Sequence, residues 1–166
     1  MFRPIVICLL ALLSCTKAPD PVVIVPDPPQ EKPGENGGDN NNDNKEMPDH
    51  IQLTVSGKTL PVKIEDNAAT KALVAALREA SITYEADDYG GFEKVGALGR
   101  SLPTSNAQIS TQPGDVILYS GNQIVLFYGT NSWSYTRIGK MEYGTLDELK
   151  SFLKAGQGKI SVTLSL

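Results

Sequence analysis

The stretch DVILYSGNQIVLFYGTNSWSYTRIGK, from Asp115 to Lys140, carries the strongest indication of how this chain folds. Two apolar runs, Val116 to Ser120 and Gln123 to Tyr128, are joined by Gly121-Asn122, and a two-residue Gly-Asn connection is typical of a tight β-hairpin. Ser132 to Met141 follows as another predicted strand, in which aromatic, hydroxyl and basic side chains are mixed. The chain on both sides of this stretch continues the same mainly β pattern.

Alternating apolar residues predict further strands before and after the central hairpin. A Ser56-Gly57 turn separates the first two strands, and the glycine-rich segment is predicted as a bent strand because strand glycines often mark bulges or barrel corners. The predicted strands are Ile51 to Val55, Leu60 to Ile64, Ile82 to Ala86, Phe92 to Leu98 and Ile160 to Leu166, with a turn at Asp87-Asp88 and a loop from Asn106 to Gly114.

Two helices are predicted, and each begins at a recognisable cap. Before the first helix, Asp66 or Asn67 is placed to accept hydrogen bonds from the free N–H groups of the first turn. Thr145 and Glu148 fit a capping box at the start of the second helix, and Gly156 is placed to end it. The predicted buried faces are Ala69, Leu73, Ala76, Leu77 and Ala80 in the first helix, and Leu146, Leu149, Phe152 and Leu153 in the second.

This order of two strands, a helix, five strands, a helix and one strand resembles the cyclophilin fold. Four segments resemble the bacterial cyclophilin-like domain family: EDN before the first helix, DYGGFEKVGALGRSLP, GDVILYSGNQIVLFYG and SWSYTRIGK. The resemblance extends over Ile51 to Leu166 and implies a mainly β domain over residues 50–166, a closed eight-stranded barrel with two α-helices. Members of that family mostly have no established activity, so the resemblance implies a fold and not a reaction.

The first fifteen residues, MFRPIVICLLALLSC, have the features of a secretory signal. Arg3 precedes an apolar run from Ile5 to Leu13, which is shorter than the roughly 20 residues that a membrane-spanning helix needs. Leu12-Leu13-Ser14-Cys15 resembles the lipobox of bacterial lipoproteins. The resemblance implies a signal peptide over residues 1–14 and a lipid on Cys15, which holds the protein on the membrane. Because Thr16 and not Asp follows, an outer-membrane location in a Gram-negative cell envelope is expected.

Residues 15–49 are predicted to be a flexible acidic tether between the lipid and the domain. They are rich in Pro, Asn, Asp, Gly and Glu, and bury too little apolar surface to offset the entropy of ordering them. Residues 16–49 hold eight acidic and three basic residues, whereas eleven of each follow Asp49. The domain is therefore neutral, and nucleic acid is not an expected partner.

The composition of the domain argues against most catalytic and metal sites. Both cysteines, Cys8 and Cys15, precede it, and His50 is the one histidine of the chain. Thiolate sites, sites with several imidazole ligands and a histidine general base are therefore not expected. We expect no catalytic residue, no metal and no cofactor.

Aromatic and basic residues in the predicted strand from Ser132 to Met141 indicate a binding surface. Alternate strand residues face opposite sides, so Trp133, Tyr135 and Arg137 share one face. An unpaired arginine inside a small apolar barrel would cost several kcal/mol, and we therefore expect this face to point outward or to lie at a rim. Trp, Tyr and Arg together have the composition of a recognition hot spot.

The glycine-rich segment is expected to form the other wall of such a groove. Its glycines allow close approach of the backbone, and Tyr89, Phe92, Glu93 and Arg100 offer aromatic and charged contacts. A purely structural arrangement is the alternative, in which loops cover the aromatic face. Arg137 would then stack on an aromatic ring, that of Tyr135, or pair with a carboxylate, Glu93 or Asp88.

Two functions fit these residues, besides a purely structural role in the envelope. The first is a non-enzymatic module that binds a peptide or small ligand on the outer barrel face. The second is a peptidyl-prolyl cis-trans isomerase with a divergent site. True cyclophilins polarise the prolyl amide with an arginine set among Phe, Met, Gln, Trp and His side chains, and the usual F-H-R or F-x-R context of that arginine has no counterpart in this sequence.

Overall fold

The computed structural model describes residues 46–166 of the chain. These residues form nine β-strands and two α-helices, which are β1 (His50–Val55), β2 (Lys58–Ile64), α1 (Ala68–Glu79), β3 (Ile82–Tyr89), β4 (Glu93–Ala97), β5 (Ala107–Ser110), β6 (Asp115–Tyr119), β7 (Gln123–Phe127), β8 (Ser132–Met141), α2 (Leu146–Phe152) and β9 (Ile160–Ser165). Neither helix has the length and apolarity that crossing a bilayer would require.

The predicted signal peptide over residues 1–14, the lipid on Cys15 and the tether as far as residue 45 lie outside the described residues. The last residues of the predicted tether, 46–49, are described, and they contact the domain. Met47 packs against the core, and the carbonyl oxygen of Asp49 accepts a hydrogen bond from the N–H of Ile64 at 3.0 Å. Residues 46–49 thus belong to the packed domain although they precede β1.

Eight of the strands close into an antiparallel barrel. Around the ring the order is β2-β1-β9-β3-β4-β7-β6-β8, and β8 pairs with β2 to complete it. At the closure, Val62 lies opposite Met141 and Ile64 lies opposite Gly139. The mainly β, closed eight-stranded barrel with two helices that the sequence predicts is confirmed.

Two segments differ from their predictions because strand partners override weak local signals. The predicted loop over residues 106–114 contains β5, which pairs with the first part of β8 outside the ring. Similarly, β3 continues to Tyr89 through Asp87-Asp88, predicted as a turn, because pairing with β4 extends it. The central hairpin is confirmed, but Tyr119 pairs with Gln123, so that its connection is three residues long.

Both predicted helix caps are present. The Oδ1 atom of Asn67 accepts a hydrogen bond from the N–H of Thr70 at 3.0 Å, and the capping box of Thr145 and Glu148 is complete. Leu146, the first residue of α2, is 41% exposed, contrary to its predicted burial. Ala80, also predicted to be buried, is the exposed C-cap of α1.

Alternation along the strands divides the apolar residues between two faces of the barrel wall. The inner face and both helices share the main core, to which Ile51, Leu53, Leu73, Leu118, Leu126 and Leu149 belong. The outer face carries a smaller cluster, which we call the outer cluster, formed by Ile117, Val125, Phe127 and Tyr135 with Phe92, Val95 and Ile109 against it.

A charged pair lies on the inner face of β4. The Nζ atom of the fully buried Lys94 lies 2.8 Å from Oδ2 of Asp88 and also donates to the carbonyl oxygen of Gly158. Asp88 accepts further hydrogen bonds from the N–H groups of Gly156 and Gly158 and from the hydroxyl of Tyr128. Burial alone would raise the pKa of Asp88, but these hydrogen bonds together bring it below its ordinary value of 3.8. The network fastens the chain after α2 to β3 and β4.

Candidate functional site

A cavity of about 460 Å³ opens on the outer face of the barrel, against the outer cluster. We call it the outer groove. Its volume lies within the range of about 300–1,000 Å³ that is usual for small-ligand pockets. Its lining comes mainly from β3, β4, β6, β7 and β8, and consists of Tyr89, Glu93, Val95, Tyr119, Gln123, Val125, Asn131, Trp133 and Tyr135.

Strand register brings these side chains to one face of the barrel wall. Residues directly opposite each other in antiparallel strands point to the same side of the sheet. Three such pairs contribute to the lining, Tyr89 with Glu93, Val95 with Val125, and Tyr119 with Gln123.

Aromatic rings form the wall on the β8 side of the outer groove. The rings of Tyr119 and Tyr135 meet edge to face with centroids 5.9 Å apart, and Tyr135 makes the same type of contact with Phe127 at 5.9 Å. Only 5% of Tyr135 is exposed, whereas Trp133 is 57% and Tyr89 is 66% exposed. The outer groove therefore has a packed floor and large apolar edges that face solvent.

Glu93 is the charged residue of the lining within residues 46–166. It is 5% exposed, and its Oε2 atom has no hydrogen-bond partner among the described residues. Burial disfavours the charged form and raises the pKa of this carboxyl from 4.5 to about 7. A carboxyl group in such surroundings is held at the border between its neutral and ionised forms near neutral pH.

A hydrogen bond links Asn131 to Tyr135 in the lining of the outer groove. The Oδ1 atom of Asn131 accepts from the N–H of Ser132 at 2.8 Å, and its Nδ2 atom donates to the Tyr135 hydroxyl at 3.0 Å. Burial and the charge of Glu93 raise the pKa of Tyr135, so its hydroxyl keeps its proton at neutral pH. The tyrosine therefore still has an O–H to donate within the groove.

Five of the seven predicted groove residues meet at this site. Phe92 lies beneath the outer groove, partly buried, with its ring stacked on that of Phe127 at a centroid distance of 6.3 Å. The four that line the outer groove itself are Tyr89, Glu93, Trp133 and Tyr135.

Neither predicted arginine lines the outer groove. Arg100 is exposed in the bend after β4. The guanidinium of Arg137 lies 3.3 Å from Oδ2 of Asp115 and 3.7 Å from Oε1 of Glu65. Arg137 is thus paired with Asp115 and Glu65. It is not paired with Asp88 or Glu93, the two carboxylates that the sequence suggests.

A bulge in β8 accounts for the surroundings of Arg137. Val116 lies opposite Gly139 and Ile117 lies opposite Arg137, which leaves Ile138 as the additional residue. Ile138 fills the inner core, while Arg137 stays on the outer side next to the start of β6. The side chain is therefore drawn toward the carboxylates there and away from the aromatic end of the strand.

Sequence reasoning missed five lining residues. Tyr119, Gln123 and Val125 occupy outward positions of the central hairpin, so the period-2 pattern could have identified them once the inward set was assigned. Val95 follows the same rule in β4. Asn131 lies in the turn before β8, where no periodic signal exists.

The lining suits recognition of a ligand by aromatic contacts and a few polar groups. Within residues 46–166, no group of three or more His, Cys, Asp or Glu side chains is placed to hold a metal ion. The polar side-chain groups of the lining are one carboxyl, two amides, three tyrosine hydroxyls and the indole N–H of Trp133.

Comparison with known proteins places this fold in a family. The solution structure of the hypothetical protein AF2241 from Archaeoglobus fulgidus is similar to this chain, with a TM-score of 0.53 and 16% sequence identity, over 72% of this chain and 95% of that one. At this identity the likeness shows the fold alone. No curated protein matches the chain. The model of the Cyclophilin-like family matches residues 53–165, more than half of the chain, and confirms the resemblance seen in the sequence. The chain belongs to the Cyclophilin-like family.

Proposed function

We propose that this protein is a non-enzymatic binding module, carried on a lipid anchor at Cys15, whose outer groove takes a peptide or small ligand. The observation that carries the proposal is the combination of a cavity of about 460 Å³ with a buried carboxyl oxygen that has no partner among the described residues. An unpaired polar atom in a closed apolar setting is costly, and a ligand that supplies the missing hydrogen bond recovers that cost.

The aromatic lining supports the same proposal. Trp133 and Tyr89 expose large apolar surfaces at the edges of the outer groove, while Tyr135 is held by two aromatic neighbours and a hydrogen bond. Rigid aromatic side chains lose little conformational entropy when a ligand arrives, so they contribute contact area at low cost. Exposed Trp and Tyr around a buried polar group have the anatomy of a binding hot spot.

Binding without isomerisation is favoured by the charge of the lining. The arginine expected of a prolyl isomerase would have to reach the amide of a ligand in the outer groove. Within residues 46–166 the charged group of the lining is Glu93, and Arg137 is engaged with Asp115 and Glu65. A carboxylate does not withdraw electron density from a prolyl amide as a guanidinium does.

The lipid anchor is proposed from the lipobox-like segment that ends at Cys15, and the tether from the composition of residues 15–49. In a Gram-negative host, metabolic labelling with a fatty acid tests it. The full chain should take up label, Cys15→Ser should lose it, and Cys8→Ser, the matched control, should retain it. Label that remains in Cys15→Ser would contradict the anchor, and fractionation of the envelope would show whether the labelled protein lies in the outer membrane.

The binding role is tested with the full chain through Trp133, which is its one tryptophan. A pool of short peptides and small metabolites should contain members that change its emission saturably. By calorimetry, Tyr119→Ala should weaken those members at least about tenfold, since truncating an aromatic side chain that lines the outer groove costs roughly 1.4 kcal/mol or more. Leu146→Ala, which removes an exposed apolar side chain outside the outer groove, should not. Turnover of an X-Pro peptide that Arg137→Ala abolishes would overturn the proposal in favour of an isomerase.

A further inference from the structure

The outer groove combines aromatic faces with one acidic group and no basic one among the described lining residues. We infer that its ligand carries an organic cation, a protonated amine or a guanidinium, that donates an N–H to Glu93 between the surrounding aromatic rings. The inference rests on the proposed binding function and specifies the chemical class of the ligand.

The first reason to expect a cationic ligand is the position of Glu93. The residue is 5% exposed, it lies in the lining, and its Oε2 atom has an unused acceptor site within the described part of the chain. A cation brought to this carboxylate would be attracted more strongly than at the protein surface, because the effective dielectric constant falls with burial. The Oε2 atom is itself enclosed, so the carboxyl group has to turn about its last side-chain bond for an N–H donor of the ligand to satisfy it.

The second reason is the presence of aromatic rings in the same lining. The negative faces of Trp and Tyr attract ammonium and guanidinium groups, and Trp does so best. Trp133, Tyr135, Tyr119 and Tyr89 all belong to the same lining as Glu93. A neutral ligand would gain apolar contact from these rings but neither the ring attraction nor the charge pairing.

The basic residues nearest in sequence to the lining of the outer groove do not pair with the carboxylate of Glu93. Lys94 follows Glu93 directly but lies on the inner face of β4, bound to Asp88 and Gly158. Arg137 is paired with carboxylates at the start of β6 and at the end of β2. Within residues 46–166, the charge of an ionised Glu93 therefore has no basic partner and is available to a cationic ligand.

Ionisation of Glu93 should make such binding depend on pH. The other titratable groups that line the outer groove are Tyr89 on β3, Tyr119 on β6 and Tyr135 on β8, and Tyr128 lies close enough for its pKa to be raised by the charge of Glu93. Tyrosines stay neutral below pH 8, so the carboxyl is the group that changes. With its pKa near 7, affinity for a cation should fall about tenfold from pH 8 to pH 6.

The test titrates the full chain with four probes while Trp133 emission is followed. n-Butylammonium and n-butanol form one pair, which differs in charge at similar size. The peptides acetyl-Gly-Lys-Gly-amide and acetyl-Gly-Gln-Gly-amide form the other. Each cationic probe is expected to bind at least tenfold more tightly than its neutral partner at pH 8. If the lysine peptide also binds at least tenfold more tightly than butylammonium, the cation of the ligand is a side chain of a peptide. If the lysine peptide and butylammonium bind with equal affinity, the ligand is a free amine.

Glu93→Gln should weaken the cationic probes at least tenfold and remove the pH dependence. The control Glu79→Gln makes the same change of charge at the exposed end of α1 and should leave both unaltered. Equal binding of charged and neutral probes, or unchanged cation binding in Glu93→Gln, would overturn the inference. If neutral ligands from the pool bind and cations do not, the cation inference fails while the binding function stands. If nothing binds, both fail.

Discussion

Glu93 and Lys94 are neighbours in β4, yet their side chains lie on opposite faces of the barrel wall and do not meet. Lys94 is enclosed by the barrel and paired with Asp88, whereas Glu93 faces the outer groove with an unpaired oxygen among the described residues. The alternation of a strand separates two opposite charges that would otherwise neutralise each other. Lys94 contributes to the fold, and Glu93 is the residue to which we propose that a ligand binds.

Removing Asp88 should destabilise the protein more than removing Lys94. Asp88→Ala leaves a fully buried ammonium with the Gly158 carbonyl as its remaining partner among the described residues, and we expect a loss of roughly 3–5 kcal/mol in the free energy of unfolding. In Lys94→Met, Asp88 is partly solvated and keeps the N–H groups of Gly156 and Gly158 and the hydroxyl of Tyr128. Urea unfolding of both variants compares the costs.

Asp88→Ala should also change how the free energy of unfolding depends on pH in acid. Because the pKa of Asp88 is below 3.8 in the folded state, its contribution is present above that value and is lost as the pH falls through the folded pKa. The acid limb of the unfolding free energy should therefore be flatter in Asp88→Ala than in the unchanged chain. A larger loss for Lys94→Met than for Asp88→Ala would show that the carboxylate and not the ammonium is the group that needs its partner.

Glu93→Gln should stabilise the fold above neutral pH. Below pH 4.5 the carboxyl is protonated whether the chain is folded or unfolded; between 4.5 and about 7 only the unfolded state releases the proton, so stability falls as the pH rises. An uncharged amide avoids this loss. We expect a gain of roughly 1–3 kcal/mol at pH 8 and little change at pH 4, measured by urea unfolding.

Glu79→Gln is the control for this experiment, since it removes an exposed carboxylate of α1. Its pH profile should run parallel to that of the unchanged chain. If Glu93→Gln does the same, the carboxyl of Glu93 is not desolvated in solution as the fold implies. Stabilisation of Glu93→Gln would also establish that any loss of ligand binding in that variant is not a loss of folding.

Gly139→Ala should weaken the closure of the barrel. A Cβ atom there would lie 2.3 Å from the carbonyl oxygen of Lys63 and 3.0 Å from Cα of Ile64, where β8 meets β2. These are backbone atoms that cannot rotate away, so we expect a cost of about 3 kcal/mol, at the upper end for overpacking. Hydrogen exchange at the amides of β2 should accelerate.

Gly57→Ala separates this steric effect from backbone strain. Gly57 has a φ of 75° and open space around its missing side chain, so alanine there costs only about 1–2 kcal/mol of torsional strain. Exchange at the β2–β8 closure should not change more than global stability does. Equal losses in the two variants would mean that the closure at Gly139 tolerates a methyl group.

Arg137→Ala should reduce stability without altering the outer groove. Asp115 is fully buried, and loss of the guanidinium leaves its Oδ2 atom with the N–H of Gln112 as its remaining partner among the described residues. A cost of about 3 kcal/mol follows, at the lower end for a broken buried pair. Glu65→Ala removes the exposed partner and should cost less than about 1 kcal/mol. Thermal unfolding of both variants, beside probe binding at Trp133, tests the assignment; weaker binding in Arg137→Ala would place this arginine in the groove after all.

Local sequence signals were sufficient for most of the architecture. Turn residues at Ser56-Gly57, the capping box from Thr145 and the alternation of the strands act over a few residues, so they can be read without knowing the fold. The missed strand β5 has too little alternation of its own and exists because β8 offers it an edge. Leu146 has the right spacing for burial but is exposed, because spacing along a helix does not record what packs against each turn.

For the candidate site too, local sequence patterns indicate some features, and contacts between distant segments decide the others. Strand period predicted that Trp133 and Tyr135 share one outward face, because period 2 holds along any strand. Residue type alone suggested Tyr89 and Glu93 of the glycine-rich segment as the other wall. The bulge at Ile138, the carboxylates that hold Arg137 and the burial of Glu93 depend on contacts between segments far apart in the chain. Such contacts set dielectric surroundings and hydrogen-bond partners, which no local pattern records. The sequence by itself therefore determined a cyclophilin-like barrel and an aromatic face, and only the tertiary structure decided that this face presents a carboxyl group and not an arginine.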